Sequence, residues 1–296
     1  MSESNLRKLC TKLAKIRNSS LLSFVLPRES LISSHLLTVY KLIKNKKCKK
    51  LDIILHSGGG DINAAYQIIE LLRDHCESMT TIVPLYAKSA ATLFVLGSDS
   101  IVMGEIAELG PLDTQMREQE RGGMKYVSAL NPFKTLEELQ RFSLETFDVT
   151  VKMLLARAAL SVDEAIKHSM DFASRIVTPL FSKLDTEKVG QYSRALAIGK
   201  EYGLRLVRRY SKWKKQRDID TILEKFIKGY PSHRYVIDYK ELKDLDFDVI
   251  LPVKGETEII EAVTDELIKL QNSEIFFIDD HCKIEKKKEK GEQGGK

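Results

Sequence analysis

Two hydrophobic periods alternate through the first hundred residues. Leu51-Asp-Ile-Ile-Leu-His56 is a short apolar run with too little alternation for a half-exposed strand, which predicts a buried strand of a parallel sheet. A glycine triplet, Gly58-Gly59-Gly60, follows at once, and Asp61 stands where it can cap the next segment. There Ala64, Ala65, Ile68, Ile69 and Leu72 recur at helical spacing. Thr80 to Tyr86 reads as a second strand, and Ser89 opens another apolar segment, Ala90 to Leu96. The order is strand, Gly turn, helix, strand, Ser turn, helix. In such a layout both turns lie at the carboxyl ends of parallel strands, where open α/β sheets place their ligands.

That placement gives the two turns complementary chemistry. A serine at a strand-to-helix turn exposes its hydroxyl, and the helix N-terminus behind it favours developing negative charge. Glycines lack Cβ atoms, so their N–H groups can approach a substrate oxygen closely, as in an oxyanion hole. Each part also has an ordinary reading: a Gly triplet after a strand as a turn or phosphate cradle, a Ser before a helix as an N-cap. The triplet lies in no GxGxxG or Walker pattern.

The ordered motifs from about Leu51 to Asp113 resemble the serine dehydrogenase proteinase family, a relative of the Clp protease proteolytic subunit and of signal peptide peptidase A. His56-Ser57-Gly58-Gly59-Gly60 corresponds to that family's His-Thr-Pro-Gly-Gly, and Ala64-Ala65-Tyr66-Gln67-Ile68 to its next helix. Val83-Pro84-Leu85-Tyr86-Ala87, Ser89 and Thr92-Leu93 follow the family's order. Ile101-Val102-Met103 and Leu109-Gly110-Pro111-Leu112-Asp113-Thr114-Gln115 are similar to its Ile-Val-Met and Leu-Gly-Pro-Val-Asp-Pro-Gln. Fainter likeness extends to Tyr230-Pro-Ser-His233 and to Glu241–Val249. The sequence departs from the pattern where Gly58 replaces Pro and where Lys88 and Ala90-Ala91 flank Ser89 in place of Met and Gly, marking a diverged member.

The resemblance implies an α/β fold of the Clp/crotonase-like type, a layered parallel sheet with flanking helices and a helical C-terminal region. It implies a serine endopeptidase in which Ser89 attacks the scissile carbonyl while N–H groups of Gly59 or Gly60 and of Ala90 hold the oxyanion. A nucleophilic Ser needs a base. His233 is the leading candidate, because imidazole titrates near neutrality and the family places a His there. Asp113 is a second candidate, to orient His233 or bind substrate; in the Clp relative the catalytic His follows the same strand, which puts Asp113 near Ser89. Lys88 would suit a Ser-Lys dyad like that of signal peptide peptidase A, but neighbouring side chains at a strand end point to opposite faces, which favours a solvated or capping role. His56 suits a buried strand-end imidazole hydrogen-bonded to a neighbour.

Length and patterning predict an α/β core over 1–130, a mostly helical region over 131–282 with the His-containing segment near 230–250, and a disordered lysine-rich tail over 283–296. With 43% hydrophobic residues the chain can bury a large core. No apolar run is long enough for a membrane span and no signal-peptide pattern opens the chain, so a cytoplasmic protein is the expectation. Cys10, Cys48, Cys76 and Cys282 are scattered without CxxC spacing, which predicts reduced thiols and no metal site. No cofactor is implied.

The formal net charge of +5 is uneven, with basic clusters at Lys44–Lys50 and Arg205–Arg217. The second, beside Tyr210 and Trp213, admits a basic binding module for phosphate backbone or anionic membrane, but cationic side chains commonly cover helix faces, and nucleic acid is not the expected partner. The expected partner is a peptide or protein substrate, with a membrane-protein substrate left open and homo-oligomerisation implied by the resemblance. A crotonase-like acyl-CoA or thioester enzyme and a non-catalytic scaffold are the alternatives on the same fold.

Overall fold

The computed structural model describes residues 4–112, 115–120, 123–129, 131–158, 160–210, 219–232, 234–279 and 281–284. In chain order the elements are α1 (Asn5–Arg17), β1 (Ser20–Leu26), α2 (Ser33–Ile43), β2 (Lys46–Ser57), α3 (Ile62–Asp74), β3 (Cys76–Val83) and β4 (Tyr86–Ala87). A 3-10 turn, Ser89–Ala91, leads into α4 (Thr92–Leu96), then β5 (Ser100–Met103), β6 (Glu108–Leu109), β7 (Gln115–Glu120) and β8 (Gly123–Ser128). Three long helices follow, α5 (Asn131–Arg157), α6 (Val162–Phe181) and α7 (Thr186–Tyr210). The chain continues through α8 (Ile219–Glu224), a π turn at Lys225–Gly229, α9 (Tyr239–Asp244), β9 (Val249–Ile250), α10 (Thr257–Lys269), β10 (Glu274–Ile278) and β11 (Cys282–Ile284).

It divides into two compact units, one of Met1–Gln115 with Ile198–Lys296 and one of Met116–Ala197. The first carries a curled sheet in the order β10-β1-β2-β3-β5-β9, in which β1, β2, β3, β5 and β9 run parallel and β10 is antiparallel to β1. On one face α1 and α10 bring Leu6, Leu13, Val263 and Leu267 against Leu21, Ile54, Ile82 and Phe276. In α1 the buried positions Leu6, Cys10, Leu13 and Ala14 follow helical spacing, Ser4 caps its start, and Asn18 in the left-handed region ends it. The second unit contains the β7–β8 ribbon and the contacting pair α5 and α6.

Three details depart from the sequence reading. β2 begins at Lys46 rather than Leu51: its alternating first half is the segment that β11 joins antiparallel, while the fully buried second half pairs with β1. The strand expected over Thr80–Tyr86 is broken after Val83, because Pro84 cannot donate to a ladder, and it resumes as the two-residue β4. The cysteines are not all reduced. β11 sets Cys282 directly opposite Cys48 with Cα atoms 4.4 Å apart, and the two form a disulfide, while Cys10 and Cys76 are free. The 234-residue separation of the bridged pair hid it from any spacing rule.

Candidate active site

The Gly turn and the Ser turn meet at the carboxyl edge of the sheet. β2 ends in Ser57 and β4 in Ala87, register partners of a parallel pair, and Lys88 N–H donates to Ser57 C=O. The chain then turns at Ser89, whose φ of 54° puts a non-glycine residue in the left-handed region. Such strain persists only where the surroundings enforce it. Here the enforcement is visible. Gly59 has φ of 95°, and a Cβ added to it would lie 2.7 Å from both Lys88 C=O and Ser89 Cβ and 3.1 Å from Ala90 N. Gly60, at φ of 148°, lies so close to Leu31 that a Cβ would meet its carbonyl oxygen at 2.3 Å. Leu31 holds the turn from outside: its N–H donates to Gly59 C=O, and its C=O accepts from Asp61 N–H. Asp61 in turn accepts from the N–H groups of Asn63 and Ala64, the cap expected for α3.

Ser89 and Ala90 are buried at the start of the 3-10 turn. The Gly59 N–H donates to Ser57 Oγ at 3.1 Å, so an oxyanion bound there would displace that hydroxyl. The Leu109-Gly110 segment is locked to the same turn. Gly110 N–H donates to Ala87 C=O, and Thr92 Oγ1 donates to Gly110 C=O at 2.8 Å. Ser57, Thr92 and Leu31 therefore position the site. Ser57 and Thr92 stand within the family-like motifs, but nothing in the sequence singled out Leu31.

Lys88 is placed differently from the solvated or capping role expected of it. Its side chain is 14% exposed, and Nζ forms an ion pair with Glu108 at 2.9 Å and donates to Leu109 C=O at 3.1 Å. Gly110 is the residue that lets this side chain pass, since a Cβ there would lie 2.6 Å from Lys88 Cδ. His56 is buried as expected, with its ring 4.1 Å from that of Tyr86, but among the described residues Nδ1 has no hydrogen-bond partner. Burial lowers the His56 pKa to about 4, which leaves a neutral imidazole beside the Gly turn.

Asp113 and His233 lie outside the described residues. The segments that lead to them are described: Leu112 N–H donates to Phe226 C=O, and Leu109 bridges Ile237. Arg205, Arg208 and Arg209 of the second basic cluster pair with Glu201, Asp220 and Glu70, as helix-surface cations do. Residues 211–218, including Trp213, lie outside the described residues. Among the described residues no group of three or more His, Cys, Asp or Glu side chains could hold a metal ion, and no helix is long and apolar enough to cross a membrane.

A parallel sheet whose carboxyl edge brings a Gly turn against a serine-opened helix defines the Clp-like class of α/β scaffold. A model of the family described as ClpP-like SDH-type serine proteinase matches residues 32–205, and the chain belongs to that family. Two proteins of Methanocaldococcus jannaschii are similar in sequence. Uncharacterized protein MJ0137 is 36% identical over 122 residues, 37% of this chain and 42% of its own length. Uncharacterized protein MJ1495 is 39% identical over 66 residues, 22% of this chain and 23% of its own length. The chain thus spans less than half the length of these curated relatives. Two solved structures of the 1510-N membrane-bound stomatin-specific protease also match, both loosely. One, a serine-to-alanine variant, is 15% identical, with TM-score 0.29, and covers 76% of this chain and 94% of its own. The other, a lysine-to-alanine variant with a substrate peptide, is 16% identical, with TM-score 0.29, and covers 80% and 94%.

Proposed function

We propose that the protein is a serine endopeptidase that cleaves its peptide substrate through an acyl-enzyme on Ser89. The observation that carries the reading is the strained Ser89 held against Gly59 at a distance no side chain could enter. In the proposed cycle Ser89 Oγ attacks the scissile carbonyl and its proton passes to the base. The carbonyl oxygen collects negative charge between the N–H groups of Ala90 and of Gly60 or Gly59. The protonated base then gives its proton to the leaving amine, and water, deprotonated by the same base, releases the acyl group.

His233 is the proposed base and Asp113 its proposed orienting or substrate-binding partner. Lys88 is the weaker alternative, because its ammonium already serves Glu108 and the Leu109 carbonyl. Ser89→Ala is expected to abolish peptide cleavage and His233→Ala to reduce it by orders of magnitude. Full activity of Ser89→Ala removes the nucleophile, and full activity of His233→Ala moves the base to Lys88 or Asp113. Thioester turnover without peptide cleavage would favour the crotonase-like alternative, and neither activity would favour a non-catalytic scaffold.

The active form is proposed to be a homo-oligomer in the cytoplasm. Support for self-association comes from α5 and α6, where Leu144, Val149, Met153, Met170 and Phe172 are all exposed. α5 carries equal numbers of acidic and basic residues, which suits a second copy of the same surface better than a charged partner.

A further inference from the structure

A cavity of about 580 Å³ opens between the β5–β6 loop, the start of α9 and one flank of α10. Nothing in the proposed catalytic cycle uses it. Its volume lies within the range of ligand sites, roughly 300–1,000 Å³. The wall is secured from within: Thr264 of α10 is buried and its Oγ1 donates to Pro84 C=O at 3.2 Å, which ties the helix to the end of β3.

Two properties mark the lining. The first is apolar exposure. Ile106 is 64% exposed and Leu251 48% exposed, both on the cavity wall, although a large apolar core lies directly beneath. The second is charge. Glu105, Glu261 and Asp265 line the cavity together with Asp238, whose carboxylate caps α9, against a single cation among the described residues, Lys240, in a chain of formal net charge +5. Several other carboxylates of this unit are paired, as Glu70 is with Arg209, Glu108 with Lys88 and Glu241 with Lys225. Among the described residues Glu105, Glu261 and Asp265 have no ion-pair partner. Glu261 and Asp265 are also one turn apart on α10, where like charges repel and weaken a helix by a few tenths of a kcal/mol.

We propose that this cavity is a docking site for a cationic, apolar-anchored peptide segment of a protein partner. An aliphatic or aromatic side chain would cover Ile106 and Leu251, and a lysine or arginine on either side would meet the Glu105 and the Glu261–Asp265 carboxylates. Charge complementarity selects this occupant over an acidic peptide, a phosphate ester or an anionic membrane, all of which the four carboxylates repel. The site does not depend on the assignment of Ser89.

The test uses the full chain carrying Ser89→Ala, so that the probe survives, and fluorescence anisotropy of a labelled ten-residue peptide alternating Lys or Arg with Leu or Phe. A counterpart with Glu and Asp in place of the cations is the reference. The basic peptide is expected to bind at least about tenfold more tightly, and Glu261→Lys with Asp265→Lys to weaken it about tenfold, as two reversed surface charges allow. Leu251→Asp is expected to act in the same direction. Glu137→Lys with Glu138→Lys, an exposed charge reversal on α5, is expected to leave binding unchanged. Equal affinity for both peptides, no binding of the basic peptide at 1 mM, or an α10 reversal no more effective than the α5 reversal would each overturn the proposal.

Discussion

The sheet unit and the α5–α6 pair bury opposite kinds of side chain. In the sheet unit Phe24, Phe94, Phe226 and a run of Leu and Ile are fully inside, and the exposed positions are largely polar. In α5 the buried residue is Thr150, and in α6 the buried ones are Ala165, Ser169, Ala173 and Val177, while Phe142, Leu144, Met170 and Phe172 face outward. Small buried residues let helices approach closely but remove little apolar area from water. The sheet unit has the composition of a self-sufficient core, whereas the helical pair leaves large apolar side chains exposed. The strained Ser89 lies in the first and not the second.

A sheet unit with a self-sufficient core should be intolerant of damage to its buried network. Arg17 binds Asp52 through Nε and Glu256 through Nη1, and both acids are buried. Arg17→Met leaves two buried carboxylates uncompensated and is expected to cost about 4 kcal/mol in a denaturant titration. A loss under about 1 kcal/mol would mean that the network is incidental to the core. The Cys48–Cys282 bridge is the next test. Cys282→Ser is expected to cost about 3 kcal/mol, since the link closes a long loop; an unchanged melting temperature would show that β11 is already released in solution.

His56 sharpens the same contrast through pH. Its folded pKa of about 4 lies below the ordinary 6.5, so the unfolded chain takes up the proton first as pH falls. The stability that rests on a neutral His56 is intact above pH 6.5 and drains away down to pH 4, by about 2 kcal/mol between pH 7 and pH 5. His56→Leu is expected to flatten the stability profile across that window, and an unaltered slope would place the pH dependence elsewhere. The smallest effect on folding belongs to the helical pair. Leu144→Glu with Met170→Glu is expected to change unfolding by less than about 0.5 kcal/mol, because both residues are exposed. The same pair is expected to reduce self-association in size-exclusion chromatography with light scattering. Unfolding of the hairpin by these changes would mean that its outer face is structural.

The strand-turn-helix order, the Asp61 cap and the Ser turn were legible in the sequence because each is a local signal within a few residues. What escaped it is non-local. Glu274–Ile278 joins β1 across some 250 residues of chain and reads by itself as an ordinary apolar run. Cys282 finds Cys48 only because β11 sets the register. The restraint of Lys88 depends on Glu108 and on the space left at Gly110, neither of which a strand-end pattern reveals. The left-handed turn of Ser89 is enforced by Gly59 and, through it, by Leu31, so the strain belongs to the assembled edge and not to the local sequence.

That assembled edge places two serine hydroxyls beside the Gly turn, Ser57 and Ser89, and the second is the proposed nucleophile. Labelling the wild-type protein with a fluorophosphonate and mapping the adduct by peptide mass spectrometry separates them. The predicted result is a single adduct on Ser89, absent in Ser89→Ala; an adduct on Ser57, or equal labelling of Ser89→Ala, would contradict it.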